Sequence, residues 1–213
     1  MAESLNSALT RFDGDPIRVL IIPGLNNSGD AHWQSWLQGQ YKGAVRVNQL
    51  HWDKPDLDAW SAQIDRTIAR AKPGSQWIAV AHSFGCLALA HHLDRQTPDQ
   101  RASGRGIQSA LMVAPADPVK FDVTHRLPQT GLGLASTVIG SENDPWMPLD
   151  RARDWAGLWG ANFHNLGAVG HINTESGFGP WPLARYKVDQ MIRHLQRQRR
   201  LERAHPMEFN FAI

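Results

Sequence analysis

Runs of apolar residues alternate with amphipathic stretches along most of the chain. The run IRVLIIPG over 17–24 ends at Pro-Gly, as expected of a strand buried on both faces of a sheet. In 57–71, Leu57, Trp60 and Ile64 lie at helical spacing, and the Lys-Pro-Gly that follows ends the helix. The whole pattern predicts strands over 17–24, 44–50, 76–82, 107–115, 135–141 and 161–167, and helices within 26–38 and over 57–71, 86–95, 151–160 and 183 to about 203.

Strands that alternate with helices at this spacing are joined by right-handed crossovers, which make the strands parallel and place helices on both faces. The predicted fold class is therefore α/β, three layers around a mainly parallel sheet of about six strands. The chain has 213 residues, 42% hydrophobic and 20% charged, as is typical of a globular protein. Because no Pro/Gly/Ser-rich linker divides it, we expect one domain over 1–213, with 1–15 and 204–213 as candidate flexible tails.

Charge and cysteine content narrow the function classes. Lys and Arg number 22 against 20 Asp and Glu, a balance that gives no reason to expect a nucleic-acid partner. A basic run near the end of the chain is either a phosphate-binding stripe or, more commonly, the solvated end of a last helix; it comprises Arg193, Arg197, Arg199, Arg200 and Arg203. One cysteine excludes an internal disulfide and most zinc sites. With no signal-like start and no apolar run long enough to span a membrane, we expect a cytoplasmic protein without membrane contact, metal or cofactor.

The third predicted strand ends in Ala81-His82-Ser83-Phe84-Gly85, and a helix follows at once. This is the pattern of a nucleophile elbow, G-x-S-x-G, with Ala81 in place of the first glycine. The turn is so sharp that the positions two before and two after the serine must be small, and Ala81 and Gly85 meet that demand. Ser83 is therefore the candidate nucleophile.

A serine nucleophile needs a base, and the base needs an acid that orients it. Asp144 follows the fifth predicted strand and His171 the sixth, which gives the Ser…Asp…His order of α/β hydrolases. Asp117, after the fourth strand, is the rival acid. An oxyanion hole would use the backbone N–H groups of Phe84, after the nucleophile, and of Leu25, after the first strand.

Several further residues have both a structural and a functional interpretation. Trp33, Trp146 and Trp181 flank the catalytic loops and are either pocket wall or ordinary core. His82 is expected to pack beside the elbow, and Glu175 to hydrogen-bond the loop of His171. Cys86 fits a small buried residue better than a second nucleophile, and the adjacent His91 and His92 point to different faces of a helix, which disfavours a metal site.

Four segments, VLIIPG, VAHSFG, SENDPWMP and GHINTESGF, resemble the small serine hydrolases of the YdeN and retinoblastoma-binding protein 9 type. The resemblance covers roughly 17–195. It implies an α/β-hydrolase fold that lacks the first two strands of larger members, with Ser83, Asp144 and His171 as the triad, and it accepts alanine in the elbow. No L-x-C-x-E stretch surrounds Cys86, so retinoblastoma binding is not implied.

The leading hypothesis is a cofactor-free serine hydrolase that cleaves a small ester or thioester through an acyl-enzyme. The alternative is a binding protein on a hydrolase scaffold with little turnover. A flavodoxin-like nucleotide binder is disfavoured because residues 23–26 offer no phosphate-binding glycine pattern. Only twenty residues, 115–134, occupy the interval where larger members insert a cap domain, so we expect no cap and a shallow apolar pocket that prefers short acyl groups.

Overall fold

The computed structural model describes residues 17–97 and 106–208, and side chains as far as 201. The candidate tail 1–15 and residues 209–213 lie outside the described residues. The strands are β1 (Ile17–Ile22), β2 (Val45–Arg46), β3 (Gln76–His82), β4 (Gly106–Val113), β5 (Ala135–Gly140) and β6 (Asn162–Asn165). The helices are α1 (Trp33–Gly39), α2 (Leu57–Ala69), α3 (Phe84–Asp94), α4 (Leu149–Leu158) and α5 (Pro182–Glu208).

The strands form one six-stranded sheet in the order β2-β1-β3-β4-β5-β6, and every neighbouring pair is parallel. The predicted α/β class with a six-stranded parallel sheet is therefore confirmed. The chain runs outward from β1 to β2, then crosses to β3 on the other side of β1. Successive strands are thus added on one side of β1 and then on the other, so the strand order reverses between β1 and β3. In open parallel sheets ligand sites form at such a point, at the carboxyl ends of the strands.

Successive residues of each central strand face opposite sides of the sheet, so two cores form. Leu20 and Ala79 pack on one side, against α2, α3 and α4, whereas Ile21 and Val80 pack on the other, against α1 and α5. Because helices cover both faces of the sheet, the central strands are apolar in nearly every position.

Most predicted bounds differ from the observed ones by one to three residues, and two elements differ by more. The second strand was expected over 44–50, but β2 pairs only at Val45 and Arg46, because it lies at the edge of the sheet and has one neighbour. The last helix was expected to end near 203, yet α5 continues to Glu208 and takes in part of the candidate tail at 204–213.

The segment that follows β4 packs onto the body of the protein. It forms two short 3-10 turns, Pro118–Phe121 and Thr124–Arg126, and its Val123, Leu127 and Leu132 are buried in the core beside α3 and α4. It has no core of its own, which agrees with the expectation that 115–134 is too short for a cap domain. None of the helices in the described part of the chain is both long and apolar enough to span a bilayer.

Candidate active site

Ser83 occupies a sharp turn between β3 and α3. Its backbone has φ of 52° and ψ of −127°, a strained combination for a residue with a side chain. The turn brings Gly85 against the end of β1, where an added Cβ would lie 2.6 Å from the carbonyl oxygen of Ile22. No residue larger than glycine fits there without moving the backbone. The local geometry is that of the nucleophile elbow predicted from the sequence.

The predicted nucleophile, base and acid meet in one hydrogen-bonded chain. Nε2 of His171 lies 2.9 Å from Oγ of Ser83, and Nδ1 lies 2.9 Å from both Oδ1 and Oδ2 of Asp144. A carboxylate can only accept, so Nδ1 carries the ring proton and Nε2 is free to accept the Ser83 hydroxyl proton. The imidazole of His171 and the carboxylate of Asp144 are 8% and 2% exposed, which shields their interaction from water.

Hydrogen bonds between two loops hold the acid and the base in place. Oδ1 of Asn143 accepts the N–H of Gly170 at 2.7 Å, and Oγ of Ser141 accepts the N–H of Val169 at 3.0 Å, so the loop after β5 is bonded to the loop after β6. The N–H of His171 donates to Oγ of Ser176 at 3.0 Å. Ser176 thus makes the contact that the sequence predicted for its neighbour Glu175.

The two predicted oxyanion donors also belong to residues beside Ser83. Gly24 approaches the nucleophile so closely that an added Cβ would lie 2.7 Å from Cβ of Ser83, and Leu25 follows it. Within the described residues, neither the Leu25 N–H nor the Phe84 N–H donates to a protein acceptor. Both amides are therefore available for an oxygen bound at Ser83.

Asp117, the rival acid, belongs to a different set of contacts. Its Oδ2 forms an ion pair with Nη1 of Arg151 at 2.7 Å, and its Oδ1 caps the first 3-10 turn by accepting the N–H of Val119 at 3.0 Å. These contacts bind the segment after β4 to α4. Of the two candidate acids, Asp144 alone contacts His171.

A cavity of about 330 Å³ opens beside Ser83. Its walls comprise Leu25, Asn26, Asn27, Gly29, His32, His82, Ser83, Phe121, Trp146, His171, Asn173, Thr174 and Glu175. Its apolar lining includes Leu25, Phe121 and Trp146, of which Trp146 is 43% exposed.

The structure separates the three tryptophans that the sequence left undecided. Trp146 lines the cavity, whereas Trp33 and Trp181, 0% and 8% exposed, pack edge to face in the core with ring centres 5.2 Å apart. Nε1 of Trp33 donates to the carbonyl of Ile172 at 2.8 Å, so this indole supports the loop of His171 from beneath. Trp33 and Trp181 are therefore core residues, and the expectation that they line the pocket is wrong.

Several wall residues were not predicted from the sequence, among them Asn26, His32 and Asn173. Asn26 is adjacent to Leu25 and Asn173 lies two residues after His171, and this proximity is the signal that could have found them. His32 precedes α1, well beyond the end of β1, and no such signal marks it. The three side chains become neighbours only because the loops after β1 and β6 meet over the end of β3.

The histidine that precedes Ser83 in the elbow is buried and neutral. His82 is 5% exposed, as expected of a residue packed beside the elbow, and its Nε2–H donates to the carbonyl of His171 at 3.0 Å. Burial, followed by the proximity of His171 and His32, lowers the pKa of His82 well below its ordinary value.

His91, His92 and Cys86 have structural surroundings. His91 bridges Oδ1 of Asp58 and the carbonyl of Arg126, each at 3.0 Å, and His92 pairs with an aspartate of α2. In the described part of the chain no group of three or more His, Cys, Asp or Glu side chains is arranged to hold a metal ion. Cys86 is fully buried, and this burial raises the pKa of its thiol far above the ordinary value, which suppresses its reactivity.

The sheet order, the elbow and the hydrogen-bonded chain from Ser83 to Asp144 define an α/β hydrolase. Residues 19–190 match a family described as serine hydrolase, and the chain belongs to this family. A solved structure of a putative YdeN-like hydrolase from Pectobacterium atrosepticum is 32% identical, with a TM-score of 0.76 over 84% of this chain and 92% of that one. The resemblance to YdeN-type hydrolases seen in the sequence is thereby confirmed.

More distant structures share the fold. The ydeN gene product of B. subtilis is 19% identical, with a TM-score of 0.66 over 82% of this chain and 98% of that one. Acyl-protein thioesterase 2 of Zea mays is 12% identical, with a TM-score of 0.54 over 87% and 95% of the two chains. No curated protein sequence matches the chain.

Proposed function

We propose that this serine hydrolase cleaves small esters or thioesters through an acyl-enzyme formed on Ser83. The observation that carries the proposal is the alignment of Nε2 of His171, 2.9 Å from the Ser83 oxygen, with a carboxylate 2.9 Å from its other ring nitrogen. A hydroxyl is a poor nucleophile at neutral pH, and this arrangement removes its proton as it attacks.

In the first half-reaction the Ser83 oxygen attacks the substrate carbonyl while its proton passes to Nε2 of His171. Asp144 stabilises the imidazolium that forms, and the N–H groups of Leu25 and Phe84 stabilise the negative oxygen of the tetrahedral intermediate. The intermediate collapses, the bond to the leaving alcohol or thiol breaks, and the His171 proton goes to that leaving group.

In the second half-reaction water attacks the acyl-enzyme. His171 accepts a proton from the water and then returns it to the Ser83 oxygen, which releases a carboxylic acid and restores the enzyme. Burial of the His171 and Asp144 side chains favours both steps, because charge interactions are stronger where water is excluded.

The cavity argues for a short acyl group. Its apolar lining is limited to Leu25, Phe121 and Trp146, and the segment after β4 contributes only Phe121 to it, because most of the other apolar residues of that segment pack on the core. Each added methylene contributes about 0.8 kcal/mol only while there is surface to bury it against. Long chains would leave the cavity and gain nothing further.

Reaction with a fluorophosphonate probe tests the proposal, because the probe modifies only an activated serine. We expect covalent labelling of the wild type, none of Ser83→Ala, and strongly reduced labelling of His171→Ala, with loss of p-nitrophenyl acetate hydrolysis in both variants. The matched control is Ser136→Ala, a buried serine of β5 whose hydroxyl has no hydrogen-bond partner among the described residues. Absence of labelling in the wild type would contradict the proposal and favour a binding protein on a hydrolase scaffold.

A further inference from the structure

The wall of the cavity contains a histidine that the mechanism above does not use. His32 precedes α1, is 5% exposed, and lies against the ring of His82 with centres 4.9 Å apart. It lines the same cavity as Ser83 and His171.

The hydrogen bond at one ring nitrogen determines where the ring proton lies. Nδ1 of His32 accepts the N–H of Gln34 at 3.1 Å and so caps the first turn of α1. A nitrogen that accepts carries no proton, so in the neutral ring the proton is on Nε2. Burial, with smaller contributions from Arg46 and His171, lowers the pKa of His32 to about 4, which keeps the ring neutral at physiological pH.

The Nε2–H of His32 is available to a ligand. Within the described residues it has no hydrogen-bond partner, it is not among the atoms sealed away from solvent, and its ring lines the cavity. The neighbouring His82 differs, because its Nε2–H is already donated to the carbonyl of His171. His32 therefore supplies a fixed, neutral donor beside the reacting groups.

We propose that His32 binds the substrate by donating its Nε2–H to an oxygen close to the scissile carbonyl. The substrates would then be small esters or thioesters with an ether, hydroxyl or carbonyl oxygen on the acyl or the alcohol side, in preference to purely alkyl ones. The inference rests on the proposed function. Its physical basis is that an alkyl group placed against this N–H would strip it of water without replacing the hydrogen bond, whereas an oxygen replaces it.

Pairs of substrates that differ only by an oxygen in place of a methylene test this role. On the acyl side the pair is p-nitrophenyl methoxyacetate and p-nitrophenyl butyrate; on the alcohol side it is 2-methoxyethyl acetate and butyl acetate. The variant is His32→Ser, since a serine oxygen still caps α1 but the side chain has no imidazole N–H. His32→Asn, which also caps, provides a second variant should His32→Ser fail to fold.

We expect the kcat/KM ratio of the oxygen-containing to the alkyl substrate to fall about tenfold in the variant, for at least one pair, as for the loss of one hydrogen bond. Intrinsic reactivity cancels because the same two substrates are compared in both proteins. The rate of fluorophosphonate labelling at Ser83 shows in parallel whether the nucleophile is still activated.

The outcomes separate this inference from the proposed function. Unchanged ratios for both pairs, with labelling of Ser83 retained, would overturn the role of His32 and leave the hydrolase mechanism standing. Absence of labelling in the wild type would overturn the mechanism, and the role of His32 with it.

Discussion

Acidification should destabilise the protein through His32. Its ring is buried and neutral in the folded protein, with a pKa of about 4 against 6.5 for an exposed histidine. Between these values the unfolded chain binds a proton that the folded protein excludes, so stability falls as the pH drops from about 6.5 to about 4 and loses no more from this group below that. The difference corresponds to about 3 kcal/mol, a large part of the stability of an ordinary domain.

Urea unfolding from about pH 7.5 to about pH 4.5 measures this loss. The perturbation is His32→Asn, which retains a cap for α1 but has no titrating group. The pKa shifts of Asp58 and Asp65 arise from other partners than His32, so these groups titrate alike in both proteins and cancel in the comparison. The pKa of His82 is lowered mainly by its own burial, which the substitution leaves in place. The free energy of unfolding of the wild type should therefore fall about 2.5 kcal/mol further over this range than that of the variant.

The matched control is His51→Asn, at a histidine exposed in the folded protein, which should follow the wild-type curve. Parallel curves for wild type and His32→Asn would refute the reasoning, because they would show that folding does not hinder protonation of His32. That result would also weaken the assignment of its proton to Nε2.

Three further predictions concern activity. Asp144→Asn should lower kcat by roughly 10⁴ because His171 loses its orienting carboxylate. Asp117→Asn should retain kcat and lose about 1–3 kcal/mol of stability in thermal melts. The reverse pattern would reassign the acid to Asp117. Gly24→Ala places a methyl carbon 2.7 Å from Cβ of Ser83, and we expect kcat to fall roughly 100-fold with a folded circular dichroism spectrum. Unimpaired turnover would mean that the loop after β1 can move away from Ser83. In a series of p-nitrophenyl esters, acetyl to butyryl should be preferred, and a steady rise toward lauroyl and palmitoyl would reveal a deep tunnel in place of the shallow cavity.

Much of the fold was predictable because it depends on local patterns. Apolar runs ending in Pro-Gly or in the elbow mark strands buried on both faces, and amphipathic spacing marks helices such as α2. The length of β2 was not predictable in this way, since an edge strand extends only as far as its single neighbour pairs with it.

The order of candidate residues along the chain also indicated the site. Ser83, Asp144 and His171 each follow a different predicted strand, and parallel strands bring their carboxyl ends to one edge of the sheet. The choice between Asp144 and Asp117 was a different matter, because both follow strands and precede turns. The proposal of Asp144 rests on the tertiary structure, in which Asp144 lies 2.9 Å from His171 whereas Asp117 forms an ion pair with Arg151.

The sequence by itself determined the class of fold, the strained turn at Ser83 and the residue types available for hydrolysis. Each of these depends on neighbours in the chain, through the two- and 3.6-residue periods and the small residues that a sharp turn requires. The tertiary structure alone decided that Trp146 lines the cavity while Trp33 supports the His171 loop from within the core, and that the ring of His32 lines the cavity beside Ser83. Burial and hydrogen-bond partners depend on residues far apart in the chain, so no local pattern predicts them.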